Sequence, residues 1–220
     1  MKYFIKAAIG LGLLLMGMKT VAQVPYFAAT VGPEKVYGYT SLKIRTGIDK
    51  IESYNTFQFG IGDLFAIGAD LAVDGLSSYY GLLGRFGYKF SPYFNLGLQF
   101  TPSFDLCDKF QFSYVTSALY LNGAITHDQK LFWCSNTWYG INRGTSNTID
   151  QWLYGGYAVE LSGNQSVTPM LGCLYSWEFN RDIDFAIGAY YSLKKINLYL
   201  WSSDLFKNHP RIVVGIDFAM

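Results

Sequence analysis

The chain has 220 residues, with 17 lysines and arginines against 16 aspartates and glutamates. This balance leaves no excess charge to attract nucleic acid or an anionic membrane surface, and neither is expected as a partner. Aromatic residues make up 18% of the chain and glycine contributes 23 residues, while only 15% of the residues are charged. That composition is typical of an all-β chain whose outer surface is not entirely in water.

The first 23 residues have the three parts of a secretory signal peptide. Lys2 and Lys6 form a charged start, Ala7–Met18 is a short apolar run, and Val21-Ala22-Gln23 supplies small residues for cleavage. The apolar run is too short to cross about 30 Å of hydrocarbon as a helix. We therefore predict a signal peptide over residues 1–22, cleaved after Ala22, and a periplasmic lead-in over residues 23–35.

The rest of the chain, residues 36–220, is predicted to be a single membrane domain built from strands. After the signal peptide there is no run of 18 apolar residues, so a helical membrane protein is excluded. Alternating segments between turn signals give about twelve antiparallel strands, an even number that places both termini in the periplasm. Weak turn signals near Asp63 and Lys194 leave ten strands as the alternative. The predicted strands are Val36–Thr46, Tyr54–Gly62, Phe65–Val73, Ser78–Phe90, Tyr93–Thr101, Lys109–Ala124, Leu131–Asn142, Ile149–Leu161, Val167–Phe179, Arg181–Leu193, Ile196–Trp201 and Arg211–Ala219.

The segment Arg181–Leu193 shows the alternation most clearly. From Ile183 to Leu193 its odd positions are apolar or aromatic, and its even positions from Asp182 to Ser192 are small or polar. Such a segment is long for a globular strand, which usually has about five or six residues. It suits a tilted transmembrane strand of about 9 to 11 residues. The faces of Lys109–Ala124 and Leu131–Asn142 are poorly distinguished and stay unassigned.

The distribution of charge favours a transmembrane barrel over a soluble sandwich. One face of the predicted strands carries almost no charge, as expected where a charge facing lipid costs roughly 2–4 kcal/mol. The other face carries the charges that we predict to line the lumen. These residues are Lys43, Arg45, Asp70, Arg85, Lys89, Glu160, Glu178, Asp184 and Asp217.

The signal peptide, short turns such as FSPYF (Phe90–Phe94) and the final strand IVVGIDF (Ile212–Phe218) resemble those of Gram-negative outer-membrane β-barrel proteins of the small porin-like kind. The resemblance implies an up-and-down antiparallel barrel in the outer membrane, with membrane lipid as its surroundings. This chain departs from the pattern at its end, because such proteins usually end on Phe and here Ala219-Met220 follow Phe218.

The sequence offers little for catalysis or metal binding, and we predict no enzyme, no cofactor and no metal. Ser203, Asp204 and His209 are the one conceivable catalytic set, as a serine, an acid and a histidine. Ordinary loop residues are the simpler interpretation. The cysteines Cys107, Cys134 and Cys173 are scattered, and no disulfide is predicted between Cys134 and Cys173, whose strands lie two apart in the sheet.

Three functions follow from this architecture. The leading one is a narrow channel or passive transporter for small hydrophilic solutes, with the inward charges as its lining. The second is a closed structural or partner-binding barrel, in which the same charges form internal ion pairs and inward Tyr and Trp fill the lumen. The third, a lipid-modifying enzyme, rests only on His209. The sequence identifies no protein partner.

Overall fold

The computed structural model describes residues 36–45, 51–75, 77–142, 147–161, 163–177 and 180–219. The predicted signal peptide, the lead-in, Glu178 and the loop centres near Asp49 and Thr145 lie outside these residues. Among the residues described, no helix is long and apolar enough to cross a membrane.

The described residues form one closed antiparallel barrel of 12 strands, which confirms the predicted fold class and strand number. Each strand pairs with its neighbours in the chain, and β1 pairs with β12 to close the sheet. The strands are β1 Val36–Arg45, β2 Ile51–Ile61, β3 Phe65–Asp74, β4 Ser77–Ser91, β5 Phe94–Asp105, β6 Gln111–Ala124, β7 Leu131–Asn142, β8 Thr148–Tyr157 with its continuation Val159–Glu160, β9 Gln165–Ser176, β10 Asn180–Leu193, β11 Ile196–Ser203 and β12 Arg211–Ala219.

The eighth strand is interrupted where the sequence predicts it to be continuous. Met170 of β9 pairs with Gly156, and Val167 pairs with Val159, but the ladder is broken around Ala158. Pro169 of β9 lies opposite this break. Because proline has no N–H to donate, a gap in the neighbouring ladder is where a strand tolerates it.

The fifth strand extends beyond its predicted end at Thr101 and runs through Pro102 to Asp105. Its register with β6 shifts between Ser103 and Phe104. A proline inside a strand is accommodated next to such an irregularity, since the ladder is already disturbed there.

The turns are short at the end of the barrel where β1 begins and β12 ends. In one of them, Ser91 Oγ accepts hydrogen bonds from the N–H groups of Tyr93 and Phe94, at 3.2 and 3.1 Å. In another, Asp128 Oδ1 accepts from the Thr126 hydroxyl at 2.5 Å and from the Lys130 N–H at 3.1 Å. These bonds, chiefly the one from Thr126, lower the pKa of the Asp128 carboxyl. Barrels of this kind have their short turns in the periplasm.

The outer surface of the barrel is apolar and carries aromatic contacts near both ends. Near the short turns, Phe90 contacts Tyr88 and Phe94, with ring centroids 4.7 and 5.5 Å apart. Near the opposite end, the rings of Tyr175 and Trp177 lie 5.1 Å apart. Between these ends the exposed side chains include Leu171, which is 67% exposed. This arrangement matches an apolar band between two interfacial aromatic girdles.

The turn between β4 and β5 packs closely against Gly123 of β6. A Cβ added at Gly123 would lie 1.9 Å from the carbonyl oxygen of Tyr93, a backbone atom that cannot simply rotate away. We expect Gly123→Ala to lower the free energy of unfolding by about 1–3 kcal/mol, the usual cost of overpacking. Urea unfolding of the protein in detergent measures this.

Gly84→Ala is the matched control, because the nearest atom to a Cβ at Gly84 is 4.0 Å away. We expect Gly84→Ala to unfold at nearly the wild-type urea concentration. Equal stability of the two variants would contradict the close approach at Gly123.

Candidate functional site

A cavity with a volume of about 320 Å³ lies inside the barrel, and we call it the outer chamber. It lies in the half of the lumen nearer to the loop end, since its lining includes Lys43 near the end of β1, Asp150 near the start of β8 and Arg211 at the start of β12. Aromatic side chains dominate the lining. They are Tyr39, Tyr54, Tyr79, Tyr114, Trp138, Trp152, Tyr154, Tyr190, Tyr199 and Trp201.

The charged groups of the outer chamber are of both signs. Lys43 places its ammonium nitrogen 5.9 Å from the centre of the Tyr54 ring. Asp70 accepts hydrogen bonds from the Tyr54 hydroxyl at 2.5 Å and from the Thr56 hydroxyl at 2.7 Å. Arg211 and Asp150 also line the chamber. With two cationic and two anionic side chains, the chamber does not attract one sign of charge alone.

Arg85 forms a constriction on the side of the outer chamber that faces the short turns. Its guanidinium donates a hydrogen bond to Gln99 Oε1 at 2.6 Å and lies 4.8 Å from the centre of the Tyr120 ring. The Tyr120 hydroxyl donates to the same Gln99 oxygen at 2.9 Å. A small inner pocket of about 20 Å³ beside these residues is large enough for about one water molecule.

The lumen beyond this level is filled by side chains. Gln58, Met170, Asn197 and Asp217 point inward and are 2% exposed or less. Asn197 donates a hydrogen bond to Asp217 Oδ1 at 2.6 Å. The open volume of the barrel is therefore concentrated on its loop side.

The nine predicted lumen charges fall into several environments. Lys43 and Asp70 line the outer chamber, and Arg85 lines the inner pocket. Asp217 lies in the filled half. Lys89 is exposed close to the short turn at Ser91, and Glu160 pairs with Lys130 at 3.5 Å at that same end.

Arg45 and Asp184 form ion pairs with the loop between β11 and β12. Arg45 lies 3.7 Å from Asp204, and Lys207 lies 2.7 Å from Asp184. These pairs connect the loop to β1 and β10 at the mouth of the outer chamber. Asp204 is buried and His209 is exposed. The acid of the conceivable catalytic set is thus engaged by Arg45.

Two charges of the chamber, Asp150 and Arg211, are missing from the predicted lining. Both could have been found by extending the alternation. Asp150 shares its face with Trp152 and Tyr154, and Arg211 shares its face with Asp217. The aromatic lining had a weaker signal, because tyrosine and tryptophan also occur on the surface that faces lipid.

The cysteines and acidic groups suggest no further centre. Cys134 faces inward and is fully buried, whereas Cys173 pairs in register with the outward residue Leu153, so the two thiols are on opposite sides of the wall. Among the described residues, no three His, Cys, Asp or Glu side chains are grouped so that they could hold a metal ion.

The comparisons with known proteins bear on the fold. No protein-family model matches the sequence, and no curated protein sequence matches it. Among solved structures, the KdgM porin superposes with a TM-score of 0.62 at 13% identity, covering 83% of this chain and 98% of that one. The chain has the fold of a small outer-membrane porin. The NanC porin gives a TM-score of 0.58 at 10% identity, covering 82% of this chain and 98% of that one.

These matches confirm the predicted resemblance to small porin-like outer-membrane barrels at the level of the fold. A second structure of the KdgM porin, in complex with disordered oligogalacturonate, superposes with the same TM-score of 0.62 and the same coverage. At such low identity the superposition places the strands of this chain but assigns no role to its side chains.

Proposed function

We propose that the protein is a narrow channel of the outer membrane through which small hydrophilic solutes diffuse. The observation that carries this proposal is that the outer chamber and the inner pocket adjoin each other along the lumen. Tyr39, Tyr54 and Trp138 line both cavities. Only the side chains that these two cavities share therefore separate a solute in the outer chamber from the pocket beside Arg85.

The constriction at Arg85 is made of side chains and not of backbone. This supports the passage of solutes, because side chains can move while the strands stay in place. Arg85 is held by a hydrogen bond to Gln99 and by the ring of Tyr120, within a barrel whose backbone is fixed by its closed ladder. A side chain can change its rotamer while the strands around it stay in place, whereas collective motions of packed elements take microseconds to milliseconds. The path can thus open without any change in the strands.

The polar groups of the filled half also favour a channel over a permanent plug. Both amide atoms of Gln58, the Tyr37 hydroxyl and Asp217 Oδ2 are buried without a hydrogen-bond partner among the described residues. Buried polar groups in native proteins are nearly always paired with protein or water, and a stable plug requires it. Groups left unpaired by the protein form a lining that can bind water or a passing solute.

The solute class follows from the lining and agrees with the comparison. Hydroxyl, amide and ring surfaces suit a small hydrophilic molecule better than a lipid. The KdgM porin, a structure of similar fold, is described in complex with an oligogalacturonate, which is a hydrophilic solute.

Planar-bilayer recording with the purified protein tests the proposal. We expect discrete conductance steps smaller than those of wide porins, since most of the inner half is occupied by side chains. Heat-denatured protein serves as the control and should give no steps. Absence of conductance at every voltage, in wild type and in variants with a smaller side chain at Arg85, would contradict a channel.

A closed barrel is the second candidate, and one observation favours it. The inner half is packed tightly enough to leave Met170, Asn197 and Asp217 at 2% exposure or less. In that case the outer chamber would be a cavity that is closed at its inner end and binds a ligand from outside without transporting it. Ligand binding without conductance would support this candidate over the channel.

A further inference from the structure

One part of the outer chamber wall combines two tryptophan rings with two polar side chains. Asn136 and Trp138 of β7 point into the chamber beside Asp150 and Trp152 of β8. The register pairs Trp138 with Asp150 and Asn136 with Trp152. The two indoles and the two polar groups therefore alternate, and the tryptophans are diagonal neighbours, a relation that places residues about 7–8 Å apart across two strands.

The two indole rings provide surfaces for stacking. Trp152 makes no ring contact with another aromatic side chain among the described residues, and it is half-buried at the chamber wall. Trp138 meets Tyr120 edge-on, with ring centroids 5.4 Å apart. The faces of aromatic rings carry partial negative charge and attract the partially positive hydrogens of C–H groups.

The polar groups beside the rings have unused hydrogen-bonding capacity. Asn136 is 2% exposed and donates to the Tyr154 hydroxyl, while its own Oδ1 has no partner among the described residues. Among the described residues the side-chain carboxylate of Asp150 likewise has no hydrogen-bond or ion-pair partner. Each offers an acceptor next to a stacking surface, and the buried Asn136 oxygen is costly to leave unpaired unless a ligand or water donates a hydrogen bond to it.

We propose that this wall, formed by Asn136, Trp138, Asp150 and Trp152, is a binding site for neutral pyranose saccharides. A pyranose ring has a face of C–H groups, which would stack on an indole, and an edge of hydroxyl donors, which would meet Asp150 and Asn136. The inference deepens the proposed function, because it names the solute class of the same chamber.

The charge at the wall selects against acidic sugars. The carboxylate of Asp150 lies next to the stacking surface, so an acidic ring placed on Trp152 would bring two negative charges together. The basic groups of the chamber, Lys43 and Arg211, lie on β1 and β12 rather than on this wall. The chamber volume of about 320 Å³ falls at the lower end of the range for small-molecule sites, about 300–1,000 Å³, and therefore suits a short saccharide.

Isothermal titration calorimetry of the purified full-length protein in detergent tests the site. The probes are maltotriose and cellotriose as neutral saccharides, trigalacturonate as an acidic one, and adenosine as a flat heterocycle. We expect saturable binding of at least one neutral trisaccharide. Trp152→Leu should weaken it by about tenfold, whereas Trp152→Phe should stay within about threefold of wild type because a ring remains.

Trp133→Leu is the matched control. Trp133 belongs to the same strand as Trp138 but contacts the outward ring of Phe94, with centroids 6.4 Å apart, so saccharide affinity should not change. Migration of unboiled protein on a denaturing gel shows whether each variant keeps its barrel. Affinity unaffected by Trp152→Leu in a folded variant would overturn the site.

The remaining outcomes separate this inference from the channel. Binding of trigalacturonate or adenosine without either neutral trisaccharide would overturn the saccharide assignment. Conductance without binding of a neutral trisaccharide would overturn it too, while leaving the channel in place. Saccharide binding that depends on Trp152, in a protein that never conducts, would support the site and remove the channel.

Discussion

Replacing Arg85 by alanine is expected to raise the single-channel conductance about threefold, because the guanidinium takes up space in the lumen beside the inner pocket of about 20 Å³. In the wild type it is held between Gln99, at 2.6 Å, and the ring of Tyr120. Alanine removes both contacts and enlarges the inner pocket that adjoins the outer chamber. The loss of a positive charge at the constriction should also shift ion selectivity towards cations. Planar-bilayer recording under a salt gradient measures both effects.

Lys89→Ala is the control for Arg85→Ala. Lys89 shares the strand, the face and the charge of Arg85, but it is exposed close to the short turn at Ser91. The Lys89→Ala variant should therefore have the same single-channel conductance as the wild type, within experimental error. A folded Arg85→Ala variant with unchanged conductance and selectivity would show that the constriction lies elsewhere.

Leu171→Arg should destabilise the barrel by roughly 2–4 kcal/mol, the cost of a cation on the lipid face at mid-membrane. Leu171 lies in the middle of β9 and is 67% exposed on the outer surface. In water such a substitution at an exposed site would change stability by only a few tenths of a kcal/mol. Urea unfolding in lipid vesicles, followed by tryptophan fluorescence, measures the difference.

Leu106→Arg is the matched control for Leu171→Arg. Leu106 is 43% exposed, but it follows β5 in the loop at the far end of the barrel, where a charge meets water or headgroups. The Leu106→Arg variant should therefore unfold at nearly the same urea concentration as the wild type. An equally small effect at Leu171 would mean that the outer surface does not face hydrocarbon.

The strand pattern was predictable wherever the two faces differ in polarity. In β10, Phe185 and Ile187 are exposed outward, while Ala186 and Tyr190 are buried inward, as the alternation predicts. The period of two is a consequence of the pleat, so a clear pattern determines the face of every residue in the strand.

The pattern failed for β6 and β7 for a physical reason. The outward face of β7 carries Ser135 and Thr137, whose polar groups are satisfied by Gln151 of β8 at 2.9 and 2.6 Å. Inward positions carry large aromatic side chains such as Tyr120 and Trp138. Hydropathy cannot separate a serine that pairs on the outer wall from one that faces the lumen.

The charges of the lumen were predictable as a set, but their roles were not. Alternation places Lys43, Arg85 and Asp217 on the inner face, yet it does not say which of them lines an open cavity. That depends on the size of the inward side chains nearby, since the ring of Tyr120, two strands from Arg85, lies against its guanidinium. The alternating wall of Asn136, Trp138, Asp150 and Trp152 was equally hidden, because it depends on the register between two strands.

The most direct test of the account is the accessibility of β10 to molecular oxygen, measured by electron paramagnetic resonance of nitroxide labels placed singly from Asp184 to Leu193. The native cysteines Cys107, Cys134 and Cys173 are replaced first, and the protein is reconstituted in lipid. We expect high oxygen accessibility, as in hydrocarbon, at Phe185, Ile187, Ala189 and Tyr191, and low accessibility at the positions between them. Equal accessibility along the strand, or the opposite alternation, would contradict a barrel whose apolar face meets lipid.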